Sequence, residues 1–228
     1  MKLNKGTKAV IYVLLILVAV YFLFPFVYMF FSAFKTEAEI NAIPPSLFPK
    51  KFLWSNFVNA WQSQEFGTFL KNSILVTIGT TVGQLLSCSL VAYGFARYEF
   101  KGKNVLFMIL LSTMMIPWDV TMIPQYMEFK LFGWINTLKP LIVPSWFGSA
   151  YYIFLMRQFL MGVPKDYEEA ARIDGANAFQ IYSRIFMPIL RPQLILVAVL
   201  NLLTVWNDYL GPLIFLQDRS KLDRKSTR

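Results

Sequence analysis

The sequence contains no histidine and only one cysteine, Cys88, in 228 residues. Without a second cysteine the chain cannot form an internal disulfide. Without histidine it has neither a histidine-based metal site nor a Ser-His-Asp triad. Charged residues are also scarce, at 15% of the chain against roughly 25% in a soluble domain. Together with 56% hydrophobic residues, these absences indicate a membrane protein and exclude most ordinary hydrolase chemistry.

The basic residues do not form a surface that could track a nucleic acid. Twenty-two Lys and Arg against thirteen Asp and Glu give a formal charge of +9, but the positive residues form short clusters between apolar runs, where they set membrane topology. No nucleic-acid partner is therefore expected. A Gly-x-x-x-x-Gly-Lys-Ser/Thr phosphate loop is also absent, since Gly102-Lys103 is followed by Asn104. The chain is not expected to bind or hydrolyse ATP itself, and no other cofactor is expected in it.

Apolar runs along the chain predict an all-α membrane protein with about five transmembrane helices. They cover residues 9–34, 72–96, from 105 onward, about 141–156 and about 194–216. The first run, at about 1.5 Å per residue, exceeds the roughly 30 Å hydrocarbon core and is too long for a cleaved secretory signal. We expect a retained helix with a kink at Pro25. The third run is interrupted at Pro117 and Pro124, which predicts either a broken helix or one whose end turns along the membrane interface.

The positive clusters predict the orientation of the chain. If the amino terminus is cytoplasmic, the loop 97–103 and the segment 157–191 are cytoplasmic too, as the positive-inside rule requires. The polar segment 35–71 then lies outside, with a helix over 56–66 on the membrane surface. Five spans also leave residues 218–228, the most basic stretch, outside. This conflict means either that the fifth run does not fully cross the bilayer, or that residues 218–228 are not the carboxyl end that suits the rest of the sequence.

A helix-turn-helix, called here the elbow (residues 163–188), is predicted between the fourth and fifth runs. Acidic residues in its first turn suit the positive end of a helix dipole, and Glu168 and Arg172 form an i, i+4 pair in the favourable order. Gly175 can take the left-handed conformation that ends a helix. A second helix is expected over 177–185, so the elbow should project into the cytoplasm.

The elbow carries a spaced motif. It reads Glu169-Ala170-Ala171, three residues, Gly175, nine residues, Ile185, one residue, Met187-Pro188. In isolation such residues can simply be good helix formers and a helix stop. In this loop the pattern resembles the "EAA" loop of ABC importer permeases, which ends in Leu-Pro where this chain has Met187-Pro188. Methionine is similar to leucine in volume, so the departure leaves little in doubt.

Other segments extend the resemblance to the maltose-permease-like branch that imports sugars, with an importer permease for another small solute as the alternative. They are Pro25, residues 32–36, Met115-Ile116-Pro117, Met122-Ile123-Pro124 and residues 206–213. The resemblance implies the type I ABC importer permease fold, a multi-spanning helical bundle with six spans usual and about five here. It places the chain in a prokaryotic cell membrane. The implied partners are a second homologous permease subunit, two copies of an ATP-binding subunit, an extracellular solute-binding protein and the lipid bilayer.

The resemblance also implies residue roles and regions. The ATPase-coupling residues would be Glu169, Ala170, Ala171, Gly175, Ile185 and Pro188. The regions would be 1–34 (cytoplasmic amino end and first transmembrane helix), 35–71 (extracellular loop with surface helix), 72–217 (permease core with the cytoplasmic coupling loop 157–188) and 218–228 (atypical basic tail). Because the family's last helix has no counterpart here, we expect a truncated product that assembles poorly or transports little.

Polar residues within the second and fifth runs are candidates for a substrate path. They are Thr77, Thr81, Gln84, Asn207 and Asp208. The second-run residues share one helical stripe, whereas Gly79 and Gly83 lie on the opposite side and permit close helix packing. Two alternatives remain open. The stripe can serve interhelical hydrogen bonding with no ligand, and Asp208 can clamp a broken helix instead of contacting a sugar.

Two other classes of membrane protein fit less well. A secondary transporter would have inverted repeats with matching broken helices and ion-binding carboxylates, and Asp208 has no counterpart in the first half. An intramembrane enzyme would need an aspartyl motif, a metal motif or an activated serine, and the sequence contains none of these.

Overall fold

The computed structural model describes residues 4–63 and 65–217, and within them every regular element is helical. The chain divides into two compact units, Met1–Glu65 and Phe66–Arg228. The predicted basic tail, 218–228, lies outside the described residues.

The first unit begins with one long helix, α1 (Lys5–Ser32), which runs through Pro25 without ending there. None of its residues is buried, and its mean hydropathy of 2.8 is high enough for a membrane span. An apolar helix without buried residues needs lipid or another protein around it, so α1 is built for a membrane rather than for this unit's own core.

A small aromatic cluster follows α1. The buried Phe34 ring packs against Phe52, Trp54 and Phe57, with ring centroids 4.9–5.3 Å apart. Two short helices complete the unit, α2 (Glu37–Ile40), which begins with a capping box, and α3 (Ser55–Ser63). The latter corresponds to the surface helix predicted over 56–66.

The second unit contains the remaining described helices. They are α4 (Phe66–Arg97), α5 (Lys103–Ser112), α6 (Trp118–Leu131), α7 (Lys139–Ile142), α8 (Ala150–Met161), α9 (Asp166–Ile173), α10 (Ala178–Gln180), α11 (Met187–Ile189), α12 (Arg191–Asn207) and α13 (Leu210–Phe215). Two 3-10 turns, Thr113–Met115 and Val143–Phe147, and one π-helical segment, Ile181–Phe186, connect some of them.

The long helix α4 lies at the centre of the second unit and packs against α8, α12 and the Val143–Phe147 turn. Its glycines allow the closest approach, as the sequence predicted. A methyl group at Gly79 would come within 3.0 Å of Ile142, and one at Gly83 within 2.6 Å of Trp146. Side chains at these positions would hold α4 away from its neighbours.

Among the described residues, length and composition give fewer candidate spans than the five predicted. Among the described residues two helices, α1 and α4, are long and apolar enough, or up to four spans if two bent pairs each count as one. The bent pairs are Lys103–Met115 with Trp118–Leu131, at 97°, and Ala178–Ile189 with Arg191–Asn207, at 72°. The third apolar run is thus a helix broken before Pro117, whereas Pro124 lies inside α6.

The fourth apolar run, predicted over 141–156, is not one helix. It is divided among α7, the Val143–Phe147 turn and α8, because Pro140 and Pro144 stand at the start of the first two and Gly148 has a positive φ of 85°. The fifth run is a helix only as far as Asn207, after which Asp208 and Tyr209 separate α12 from α13.

Candidate functional site

The first half of the elbow is α9, which ends in a complete Schellman motif. Gly175 has a φ of 80°, as its position predicted. Its N–H donates to the carbonyl of Arg172 at 3.1 Å, and the N–H of Ala176 donates to the carbonyl of Ala171 at 2.9 Å. These two bonds satisfy carbonyls that the helix end would otherwise leave unpaired. The turn of the elbow is therefore set by backbone geometry that strongly favours glycine.

An ion pair between two side chains of α9 also stabilises this helix. Arg172 Nη2 donates to Glu168 Oε1 at 2.7 Å, which confirms the predicted i, i+4 pair. The hydrogen bond with Glu168, and then its negative charge, raise the pKa of Arg172 above its ordinary value. Such a pair lets a short polar helix persist outside the bilayer.

The second half of the elbow begins with a capping box. The Asn177 side chain accepts from the N–H of Gln180, and the Gln180 side chain accepts from the N–H of Asn177, both at 2.9 Å. The helix then widens into the π-helical segment 181–186 before α11. This region was predicted as a helix over 177–185, and the structure confirms a helix-turn-helix.

Side chains of the elbow pack into the core of the second unit. Ala171, Ile181, Tyr182 and Phe186 belong to the same buried cluster as residues of α4, α8 and α12. Tyr182 Oη lies 2.7 Å from Ser89 Oγ of α4, and the contact is buried. A force applied to the elbow would therefore reach the long helices directly, because a close-packed core transmits strain.

The polar stripe of α4 forms hydrogen bonds with α12. Asn201 Nδ2 donates to Thr81 Oγ1 at 2.9 Å and to Thr80 Oγ1 at 3.3 Å. Further along the stripe, Cys88 Sγ lies 3.1 Å from Gln84 Oε1. The bonds from Asn201 are the interhelical bonding that the sequence left open as one interpretation of the stripe, whereas the Cys88–Gln84 contact lies within α4.

Asp208 lies at the break between α12 and α13 and caps the second helix. Its Oδ1 accepts from the N–H of Gly211 at 3.1 Å. A methyl group at Gly211 would come within 2.4 Å of Asp208 Oδ2, so glycine leaves room for the carboxylate. The structure thus contains the clamp that the sequence offered as one alternative for Asp208.

A small cavity of about 80 Å³, lined by both polar and apolar side chains, adjoins this break. Polar groups from three segments line it, namely Ser73, Thr77 and Thr80 of α4, Ser145, and Trp206 with Asp208. Thr77 is only 7% exposed, and its Oγ1 has no hydrogen-bond partner within the part of the chain that the structure describes. Sites that enclose small organic ligands have about 300–1,000 Å³, so this cavity can admit water or one hydroxyl group but not a whole sugar ring.

Comparison with known proteins identifies the family. The model of the binding-protein-dependent transport system inner membrane component matches residues 86–220, more than half of the chain. The chain belongs to this family. It is thus an inner-membrane permease component, and the matched segment contains the whole elbow and both helices at the Asp208 break.

Several curated permeases resemble the chain over most of its length. It is 36% identical over 207 residues to a probable ABC transporter permease protein of Pyrococcus horikoshii, covering 90% of this chain and 75% of that protein. It is 31% identical to the diacetylchitobiose uptake system permease protein of Streptomyces coelicolor, with coverages of 96% and 72%. It is 32% identical to the arabinooligosaccharides transport system permease protein of Halalkalibacterium halodurans, with coverages of 85% and 70%.

A solved structure has the same fold. The chain superposes with a TM-score of 0.85 and 25% identity on a chain of a bacterial ABC transporter involved in the import of the acidic polysaccharide alginate, covering 97% of this chain and 79% of that one. The predicted fold class, an all-α permease of the ABC importer kind, is therefore confirmed.

The structure separates the predicted coupling residues of this permease into two groups. Glu169, Ala170, Gly175 and Pro188 are exposed. Ala171 is buried at 7% exposure and Ile185 is half-buried against the core. The side chain of Ala171 thus packs inside the permease, whereas the resemblance had assigned it to the docking surface.

Two exposed apolar side chains of the elbow were not among the predicted coupling residues. Ile173 is 86% exposed and Phe179 is 73% exposed, on either side of the Gly175 turn. Large apolar residues on a short polar helix were the available signal, because exposed apolar patches commonly mark protein interfaces.

The candidate substrate-path residues are likewise divided. Thr77 and Asp208 line the same cavity. Thr81 and Gln84 are engaged in the bonds described above, and the exposed Asn207 donates through Nδ2 to the carbonyl of Leu203 at 2.8 Å. A role of these residues along a substrate path stays a prediction.

Replacing Asp208 with alanine is expected to lower the free energy of unfolding by about 1 kcal/mol, the usual cost of losing a helix cap. Asp208→Asn keeps an acceptor oxygen and should retain most of this stability. Thermal unfolding of the two purified variants in detergent measures the difference. If both variants unfold like the parent chain, the clamp contributes nothing. If Asp208→Asn is stable but carries no solute, the charge itself acts in transport.

Proposed function

We propose that this chain is the permease subunit of an ATP-driven sugar importer and that it forms half of the translocation pathway. The named relatives take up diacetylchitobiose and arabinooligosaccharides, and the structural relative belongs to an alginate importer. A further relative, from Yersinia enterocolitica, transports sn-glycerol-3-phosphate and is 30% identical. Hydroxyl-rich solutes are common to all of them, which supports a sugar or sugar-like substrate.

The observation that carries the proposal is the construction of the elbow. Its outer surface presents Glu169, Ala170 and Gly175, while its inner surface is packed into the core of the second unit. A partner that grips the outer surface can move the long helices through the inner one. Nucleotide-driven closure of two ATPase subunits would use the elbow as a lever between inward-open and outward-open states.

The same geometry supports the proposed partners. The sequence has no phosphate loop, so ATP would be bound by a separate subunit. A cavity of about 80 Å³ is too small for a sugar, so a second homologous permease subunit would complete the pathway, and an extracellular binding protein would deliver the solute. The amino terminus and the segment 157–191 that contains the elbow would both face the cytoplasm, in agreement with the Lys and Arg residues that they carry.

Replacing Ala170 with arginine tests this proposal at the docking surface. A long charged side chain should hold the elbow out of the ATPase cleft and reduce co-purification of the ATPase about tenfold or more, equivalent to about 1.4 kcal/mol. The measurement is the amount of ATPase retained by the tagged permease after co-expression with its partners.

Ala60→Arg is the matched control. Ala60 is an exposed alanine in the helix α3 of the other unit, so the same substitution there should leave co-purification unchanged. Equal retention of the ATPase by both variants would reject the elbow as the docking site. Uptake assays with an oligosaccharide, a monosaccharide and glycerol-3-phosphate then separate the candidate substrates.

A further inference from the structure

Arg97, the last residue of α4, joins three segments of the second unit. Its Nη2 donates to the carbonyl oxygens of Leu160 at 2.9 Å and Val163 at 2.8 Å. Leu160 is in the last turn of α8, and Val163 is the first residue of the elbow. The carbonyl of Leu160 also accepts from the N–H of Val163 at 3.1 Å, so Arg97 adds a second donor at a helix end, where donors from the helix itself are lacking.

The same guanidinium also contacts the second half of the elbow. Arg97 Cζ lies 4.6 Å from the ring centroid of Phe186, and Phe186 is fully buried. Arginine stacks well on aromatic rings because its cation is planar and weakly hydrated. The Arg97 side chain, at the end of α4, thus contacts three segments. They are the end of α8, the first residue of the elbow and the π-helical segment.

Two more residues of α4 contact the same part of the elbow. Ser89, Tyr93 and Arg97 are spaced four residues apart and so lie on one face of the helix. Besides the Ser89–Tyr182 contact, the ring of Tyr93 lies 5.3 Å from that of Tyr182 and 5.1 Å from that of Phe186. Tyr182 and Phe186 are themselves four residues apart, so two matching rows of side chains meet.

We propose that this contact, called here the α4–elbow seam (Ser89, Tyr93, Arg97, Tyr182 and Phe186), transmits movement of the elbow to α4, and that Arg97 is its positioning residue. The inference rests on the proposed function, because it assigns the internal route by which ATPase closure acts. The other end of the route is also in α4, where Thr77 and Thr80 line the 80 Å³ cavity. At about 1.5 Å per residue, α4 carries a displacement over about 30 Å between Arg97 and Thr77.

Arg97→Lys is the sharpest variant for testing the seam. Lysine keeps the charge, but it has no planar group that can stack on the Phe186 ring while one of its nitrogens donates to both carbonyls. The transporter assembled with its own ATPase subunit should still form, because the outer surface of the elbow is untouched. Solute carried per ATP hydrolysed in proteoliposomes should fall about tenfold, within the usual range of coupling between two sites.

Arg157→Lys is the matched control. Arg157 Nε donates to the carbonyl of Phe95 at 3.4 Å, and its Cζ lies 4.1 Å from the Phe107 ring centroid. It therefore makes the same two kinds of contact, but it joins α8 to α4 and α5 without touching the elbow. Its substitution should leave the transport-to-hydrolysis ratio unchanged. Equal ratios in the two variants, or a complex that no longer retains the ATPase in Arg97→Lys alone, would overturn the proposal.

A second readout does not depend on the identity of the solute. Binding of a non-hydrolysable ATP analogue to the assembled complex should change hydrogen–deuterium exchange in α4 between residues 77 and 89, and Arg97→Lys should abolish this change. If the parent complex responds to nucleotide but transports no sugar, the substrate assignment fails while the seam stands. If Arg97→Lys responds like the parent complex, the seam fails.

Tyr182→Phe and Ser89→Ala probe the seam without altering its shape. Each removes one hydroxyl group of a buried 2.7 Å contact. The double variant should lower the transport-to-hydrolysis ratio no further than the more affected single variant, because both changes delete the same bond. Fully additive effects, or none in either single variant, would count against transmission through this contact.

Discussion

A permease with Gly175→Pro is expected to enter the membrane normally and to lose solute transport almost completely. Gly175 has a φ of 80°, whereas the proline ring holds φ near about −65°. Proline also removes the N–H that Gly175 donates to the carbonyl of Arg172. The Schellman motif cannot form, so α9 and the second half of the elbow can no longer meet at their present angle. Uptake in vesicles, together with ATPase co-purification, measures the loss.

Two milder substitutions show whether backbone geometry is the cause. Gly175→Asn should retain most transport, since asparagine tolerates the left-handed region better than other non-glycine residues. Gly162, at the end of α8, has a φ of −78°, and Gly162→Ala should therefore be tolerated. A Gly175→Pro protein that transports solute at the parent rate would show that the elbow can turn in another way and would remove the geometric basis for the lever.

The second large effect is expected from Gly83→Ala in the middle of α4. The new methyl group would come within 2.6 Å of Cδ1 and 2.8 Å of Cγ of Trp146, so the indole ring would have to shift. Overpacking of this kind costs about 1–3 kcal/mol. We expect a lower unfolding midpoint of the purified permease in detergent and weaker contact between α4 and the Val143–Phe147 turn.

Gly94→Ala is the control in the same helix. Nothing lies within 4 Å of a methyl group at that position, so alanine should stabilise the helix by up to about 1 kcal/mol through its higher propensity. The two identical substitutions in α4 should thus change stability in opposite directions. If Gly83→Ala also stabilises the permease, close packing at Gly83 is not needed.

Much of the elbow could be predicted because its signals are local. A glycine at a helix end, an acidic first turn and an i, i+4 ion pair act within a few residues, and each is present where the sequence placed it. The spaced motif that begins at Glu169 also identified the family, which residues 86–220 confirm. Interactions between near neighbours are determined by spacing, so one sequence suffices to find them.

The direction of individual side chains could not be predicted in the same way. Ala170 and Ala171 are adjacent and chemically identical, yet the first is exposed and the second buried. Which of them faces a partner depends on how α9 rotates about its axis when the elbow packs. That rotation is set by packing in a buried cluster that also contains residues far away in the sequence, such as Tyr93.

The partners of polar groups inside the bundle were hidden for the same reason. Asn201 stood alone in an apolar run, and only the packing of α12 on α4 brings it to Thr80 and Thr81. Asp208 was predicted either to contact a sugar or to clamp a broken helix, and its bond to the N–H of Gly211 forms only because the chain breaks between α12 and α13. The sequence shows that a polar group inside a membrane needs a hydrogen-bond partner, but only the fold shows which residue is that partner.

The sequence by itself determined that this protein is helical and membrane-bound, and it determined where the elbow turns. These properties follow from composition, from the length of apolar runs and from backbone preferences of single residues, all of which are local. Only the tertiary structure decided which face of the elbow is free for a partner, how Arg97 binds α8 and the elbow to α4, and which apolar runs remain single helices. Those outcomes depend on side chains that are distant in sequence competing for the same contacts, and packing alone settles that competition.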